Sequence, residues 1–177
     1  MINCRTTEIR KEKKMLHRIG VLTSGGDAPG MNAAIRAVTR TALNHGIAVV
    51  GFRRGYSGLI DGDCVPLTMS NVGGVLLHGG TVLQTARCEE FFHPEGVNAA
   101  VLQLKQFDIG ALVVIGGNGS FHGAKELADR GVRVVGVPGT IDNDMGGTDV
   151  TIGFDTACNT VRECVSKLRD TASSHDR

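Results

Sequence analysis

The sequence predicts an α/β fold, a mostly parallel sheet with helices on both faces, and three observations lead there. Short apolar runs at Ile19 to Leu22, Ile47 to Phe52, Ala111 to Ile115 and Val132 to Val137 alternate with segments of helical spacing. Such alternation builds parallel sheets, because each helix carries the chain back across a sheet face to start the next strand. The 25 glycines are about twice the usual ~7% of a chain this long, and they gather where apolar runs end.

Each element has its own justification. After the first strand, Met31, Ala34, Ile35, Val38, Ala42 and Leu43 recur at helical spacing, and His45-Gly46 ends the helix with glycine as cap. Ile47 to Phe52 reads as the second strand. Gly55-Tyr56-Ser57-Gly58 reads as a loop, and residues 70 to 78 as a short helix before Gly79-Gly80-Thr81. Residues 95 to 107 suit a helix, Ala111 to Ile115 a strand, Phe121 to Arg130 a helix and Val132 to Val137 a strand. A last helix from about Asp155 to Thr171 is expected to turn Val161, Val165 and Leu168 inward.

Composition narrows the function classes. Of 177 residues 41% are hydrophobic and 21% charged, which suits a globular chain. Residues 1–18 hold six Lys/Arg and two Glu and read as a disordered basic extension; the net charge of +1 therefore conceals a slightly acidic body, a poor match to nucleic acid. The five cysteines form no Cys-x-x-Cys pair and suggest neither a disulfide framework nor a zinc site, so a reducing cytosol is expected. No apolar run approaches the ~18 residues of a membrane span, and the basic start lacks the apolar segment of a signal peptide.

Three loops carry the chemistry. Thr-Ser-Gly-Gly-Asp-Ala-Pro-Gly-Met-Asn (residues 23–32) and Gly-Gly-Asn-Gly-Ser (residues 116–120) each follow a strand and open a helix. A helix start offers free backbone N–H groups and the positive end of a dipole to a phosphate, and glycine lets the anion approach. One such loop is equally well a structural turn; repetition at strand ends favours a phosphate cradle. The third loop, Gly-Val-Pro-Gly-Thr-Ile-Asp-Asn-Asp (residues 136–144), sets Asp142 and Asp144 two positions apart at the carboxyl edge of the sheet, where α/β proteins bind ligands. Carboxylates there suit proton removal beside a metal-bound phosphate. The plain alternative is an Asx-rich turn that closes a loop.

Together, Ile-Gly-Val-Leu-Thr-Ser-Gly-Gly-Asp-Ala-Pro-Gly-Met-Asn-Ala (residues 19–33), Gly-Gly-Asn-Gly-Ser (116–120), Pro-Gly-Thr-Ile-Asp-Asn-Asp (138–144) and Ser-Ser-His-Asp-Arg (173–177) resemble the bacterial-type ATP-dependent 6-phosphofructokinases. The glycine element alone is shared with NAD kinases and lipid kinases; the ordered set is specific. The resemblance implies the family's Rossmann-like large domain over residues 19–177, an ATP-binding portion with the sugar-phosphate lobe largely absent, since the family's chain is roughly twice as long. It implies transfer of the ATP γ-phosphoryl group to the 1-hydroxyl of fructose 6-phosphate in glycolysis.

By that resemblance Asp142 is the base, Thr140 touches the transferred group, Asp144 organises metal and charge, and Arg87 spreads phosphoryl charge. Gly26, Arg87, Cys88 and the stretch Gly117, Asn118, Gly119, Ser120 fall on nucleotide positions, with Tyr56 nearby. Thr140, Ile141 and Asp142 fall on substrate positions. Arg177 matches an arginine that reaches the sugar phosphate of a neighbouring subunit, which implies a homotetramer. Arg36, Arg40 and Arg169 match residues of an allosteric site for ADP or phosphoenolpyruvate, whose further arginine falls at Met69; without the resemblance, Arg36 and Arg40 read as a solvated helix face. Asn118 stands where the family has a magnesium-serving aspartate, and the Asn118-Gly119 pair is also a deamidation motif. Two rival readings are a pyrophosphate-dependent relative, which would crowd the positions of Gly119 and Gly139 with larger side chains, and a catalytically silent nucleotide-binding fragment.

Overall fold

The computed structural model describes residues 16–175, and its element order alternates as expected. Strand β1 (Arg18–Thr23) leads to helix α1 (Met31–Asn44), β2 (Ala48–Phe52), α2 (Gly55–Asp61) and β3 (Cys64–Leu67). Two 3-10 turns, Val75–Leu77 and Glu90–Phe92, flank an irregular stretch, and α3 (Pro94–Gln106), β4 (Ala111–Gly116), α4 (Asn118–Asp129), β5 (Val134–Pro138) and α5 (Phe154–Ser174) follow.

The five strands lie in the order β3-β2-β1-β4-β5. β1 pairs in parallel with β2 and β4, β4 pairs in parallel with β5, and β3 alone runs antiparallel at one edge. Strand alternation divides the apolar side chains between two cores. On the α1 face Ile19, Val21, Met31, Ile35, Val49 and Ile115 are buried together. On the opposite face Leu22, Phe52, Leu59, Leu104, Leu112 and Leu127 close over α2, α3 and α4. A sheet covered on both faces explains why these strands read as nearly continuous apolar runs.

Several local expectations are corrected. Gly55-Tyr56-Ser57-Gly58 is helical, because Tyr56 and Leu59, one turn apart, both bury in the second core. Gly58 is needed in that helix, since a Cβ there would overlap the carbonyl of Arg53. Residues 70–78 give only the 3-10 turn Val75–Leu77; Gly73 and Gly74 interrupt the segment, while Val72 and Val75 still reach the core. β3 was unforeseen: it is a short edge strand that tolerates Pro66.

The helix expected at Phe121 begins at Asn118, so the second glycine loop supplies its own first turn. The last helix forms, but Val161, Val165 and Leu168 are 60%, 56% and 69% exposed and not turned inward. Leu16 packs against the first core and β1 begins at Arg18, so folded structure starts within the segment expected to be an extension; residues 1–15 lie outside the described residues. No described helix is long and apolar enough to cross a membrane.

Candidate phosphoryl-transfer site

The three loops meet at the carboxyl ends of β1, β4 and β5. β1 and β4 lie side by side while their following connections diverge, and this switch point is where open α/β sheets form their crevice. The Ser24 N–H donates to the Ile115 carbonyl at 3.0 Å, and the Ser120 hydroxyl donates to the Ser24 carbonyl at 2.9 Å. Both Ser24 and Ser120 are buried, so these bonds fasten the first loop to the second. The Gly139 N–H donates to the Gly116 carbonyl at 3.0 Å and fastens the third. Gly116 has no room for a side chain, because a Cβ would come within 2.6 Å of the Ser24 carbonyl oxygen.

The second loop opens α4 toward this crevice. Its first helical bond runs from the Phe121 N–H to the Gly117 carbonyl at 3.1 Å, and no side chain caps the helix start. The amides of Asn118, Gly119 and Ser120 therefore lack helical acceptors, the arrangement that receives an anion. Asn118 and Gly119 are exposed and Ser120 is buried, its hydroxyl already used on Ser24. In the first loop Gly25 has φ +89°, a left-handed turn suited to glycine, and Gly26 is exposed.

The acidic loop is a built turn. The Asp142 N–H donates to the Thr140 hydroxyl oxygen at 3.2 Å, and that hydroxyl lies 3.5 Å from Asp142 Oδ2. Below it, the Thr151 hydroxyl donates to the Thr140 carbonyl at 2.7 Å, and the Thr151 N–H donates to Asn143 Oδ1 at 2.8 Å. Asn143 takes a left-handed φ of +49°, so the residue between the two aspartates absorbs the turn. Ile141, Asp142 and Asp144 all remain exposed. Thr140 also approaches Gly117, lying 3.6 Å from where a Cβ on that glycine would be. The Asp142 turn and the start of α4 thus share one edge of the crevice.

Tyr56 is placed differently from the expectation. Its ring is 4% exposed, stacks on Phe91 with centroids 4.0 Å apart, and donates to the Ser120 carbonyl at 2.6 Å. It supports α4 from beneath and offers no free face to a ligand. Arg87 is exposed and Cys88 half-buried, both in the irregular stretch before Glu90–Phe92. Arg36 and Arg40 lie one turn apart on α1, Arg169 lies on α5, and Met69 is 38% exposed in the segment after β3. Arg177 lies outside the described residues.

Among the described residues no group of three or more His, Cys, Asp or Glu converges as a metal cage. Exposed oxygen donors on the three loops include the Asp142 and Asp144 carboxylates and the Asn118 amide. Magnesium is commonly held by one or two carboxylates with phosphate oxygens and waters. A carboxylate and an amide are oxygen donors of the kind magnesium accepts, and an amide brings no charge. Sequence reasoning missed Asn32 and Thr23, whose partners lie 48 to 61 positions away.

Architecture and loops together define an open, doubly wound α/β domain with three loops at its switch point. The chain belongs to the phosphofructokinase family, whose profile matches residues 18–177. It is 60% identical over 162 residues to the ATP-dependent 6-phosphofructokinase of Halalkalibacterium halodurans, which covers 92% of this chain and 51% of that one. The chain therefore spans about half the length of the curated relatives it matches. Phosphofructokinase from Saccharomyces cerevisiae superposes with a TM-score of 0.80 at 40% identity, over 90% of this chain and 25% of that one. A pyrophosphate-dependent phosphofructokinase from Marinobacter aquaeolei gives 0.69 at 25% identity, over 78% and 37%.

Proposed function

We propose that this chain forms the ATP-binding portion of an ATP-dependent 6-phosphofructokinase, which moves the γ-phosphoryl group of ATP to the 1-hydroxyl of fructose 6-phosphate. The observation that carries the reading is the hydrogen-bonded junction of two glycine loops with the Asp142 turn, in a chain 60% identical to an enzyme of that name. Asp142 accepts the proton of the attacking hydroxyl, and Thr140 holds that carboxylate and meets the transferred group. The amides opening α4, with Gly26, receive the nucleotide phosphates. Arg87 supplies a permanent cation to the equatorial oxygens, where charge accumulates in phosphoryl transfer. Asp144 and Asn118 would hold Mg²⁺, which neutralises phosphate charge.

ATP is favoured over pyrophosphate because Gly119 leaves open space above α4, with no atom within 4 Å of where a Cβ would stand. An acidic side chain there would repel the nucleotide. The intact protein is further read as a cytoplasmic homotetramer in which Arg177 reaches a neighbour's sugar phosphate. Arg36, Arg40 and Arg169 serve an ADP or phosphoenolpyruvate site, weakened by Met69. A coupled assay for fructose 1,6-bisphosphate on the intact protein, with ATP and pyrophosphate as alternative donors, tests the central reading. Saturable turnover with ATP and fructose 6-phosphate is expected; none with ATP, or equal use of pyrophosphate, overturns it.

A further inference from the structure

We infer that Asn32 is a positioning residue: it clasps the turn at residues 80–84 and thereby sets Arg87 relative to the first glycine loop. The inference rests on the reading of Arg87 given above. Between the 3-10 turns Val75–Leu77 and Glu90–Phe92 the chain has neither helix nor strand, so its course depends on tertiary contacts. Asn32, in the first turn of α1, is only 6% exposed. Its amide Nδ2 donates to the Gly80 carbonyl at 2.9 Å, and its Oδ1 accepts from the Val82 N–H at 2.9 Å. An asparagine amide offers both a donor and an acceptor at this reach. Aspartate lacks the donor, and leucine lacks both.

Other contacts close the grip on the same residues. The Thr81 hydroxyl is hydrogen-bonded to the Asp27 carboxylate in the first loop. The Gln84 N–H donates to the Thr81 carbonyl at 2.9 Å and closes a turn. The buried Thr23 hydroxyl, at the end of β1, donates to the Gln84 carbonyl at 2.8 Å. The Arg54 N–H donates to the Leu83 carbonyl at 2.9 Å. Gln84 itself holds a left-handed φ of +59°, a conformation that a non-glycine residue keeps only when its surroundings enforce it. Arg87 follows three residues later, a span of at most ~10 Å of extended chain. The turn is thus an anchor for the arginine. Because Asn32 and Asp27 belong to the first loop and the helix it opens, they tie that anchor to the phosphate cradle.

The test compares Asn32→Ala, Arg87→Ala and the double variant in the intact, active enzyme, with hydrogen exchange measured on the single variants. Asn32→Ala should lower kcat by ~10- to 100-fold, the scale of a misplacement of about 1 Å, while the KM for ATP moves less than about threefold. In the Arg87→Ala background the same change should cost less than about threefold more, because the residue it positions has gone. Exchange should quicken at the Val82 amide and stay unchanged in β1 and β4. Thr81→Val, which breaks the grip at a less buried position, should give the same kcat-selective pattern in case Asn32→Ala folds poorly.

Equal losses with and without Arg87 would overturn the clasp, as would unchanged kcat alongside faster exchange at Val82. Faster exchange spread through β1 and β4 would make Asn32 a general structural residue and also overturn it. If Arg87→Ala alone leaves turnover intact, the reading of Arg87 falls by that single variant and the clasp's role falls with it.

Discussion

Tyr56 and Ser120 stand 64 positions apart, yet the buried phenol donates a 2.6 Å hydrogen bond to the Ser120 carbonyl in the first turn of α4. The bond ties α2 to the helix whose start forms the second glycine loop. Tyr56→Phe keeps the ring stacked on Phe91 and removes only the donor. Stability should fall by about 1 kcal/mol, measured by urea unfolding.

The same phenol predicts an alkaline effect. Burial pushes the Tyr56 pKa above its ordinary value of 10.0. The folded state therefore holds this proton more tightly than the unfolded chain does. Its contribution is complete below about pH 10 and is lost as pH rises further, when the unfolded chain ionises first. Unfolding free energy plotted against pH should fall less steeply above pH 10 in Tyr56→Phe than in the parent; parallel curves would refute this.

Donor choice should turn on residue 119. A side chain there meets no protein atom within 4 Å of its Cβ, so Gly119→Asp should leave the fold intact. Its carboxylate would face the nucleotide, and kcat/KM should fall more for ATP than for pyrophosphate. Parallel losses with both donors would show that the position does not discriminate.

Asp142→Asn preserves the shape of the turn, including the N–H bonded to Thr140, and removes the carboxylate proposed to take the proton. Turnover should drop by about 10² to 10⁴ while ATP binding, followed by calorimetry, changes little. Turnover within tenfold of the parent would assign the proton to another group.

At residue 118 charge can be changed where the chain is exposed. Asn118→Asp should lower the Mg²⁺ concentration for half-maximal activity, since a carboxylate holds the ion more tightly than an amide. Because Asn118 precedes Gly119, mass spectrometry must first show that the parent has kept its amide. Superimposable titrations would remove this position from metal binding.

The central strands were legible because burial on both faces writes them as apolar runs, and a crevice at the carboxyl edge followed from strand-helix alternation, whereas the strand order that makes it a switch point did not. Helix α2 was hidden because Gly-Tyr-Ser-Gly carries loop composition; its helicity comes from burying Tyr56 and Leu59, a tertiary cause. The stripe of Val161, Val165 and Leu168 showed that α5 is amphipathic, but periodicity does not say what a face meets. In the site, the glycine and acidic motifs announced themselves as local words. Asn32 could not, since its meaning lies in two backbone groups 48 and 50 positions away.

The central place of β1 has a consequence for biosynthesis. Ile19 pairs with Val49 on one side and with Ala111 on the other, about 90 residues downstream. At translation rates of about 5 to 20 residues per second, that second partner emerges roughly 5 to 20 s after β1 does. Until then one backbone edge of β1 stands open beside Val21 and Leu22, the kind of surface that pairs with a stranger's strand. Slower synthesis would lengthen this window, so yield in a foreign host should depend on chaperone supply more than on the final stability of the sheet.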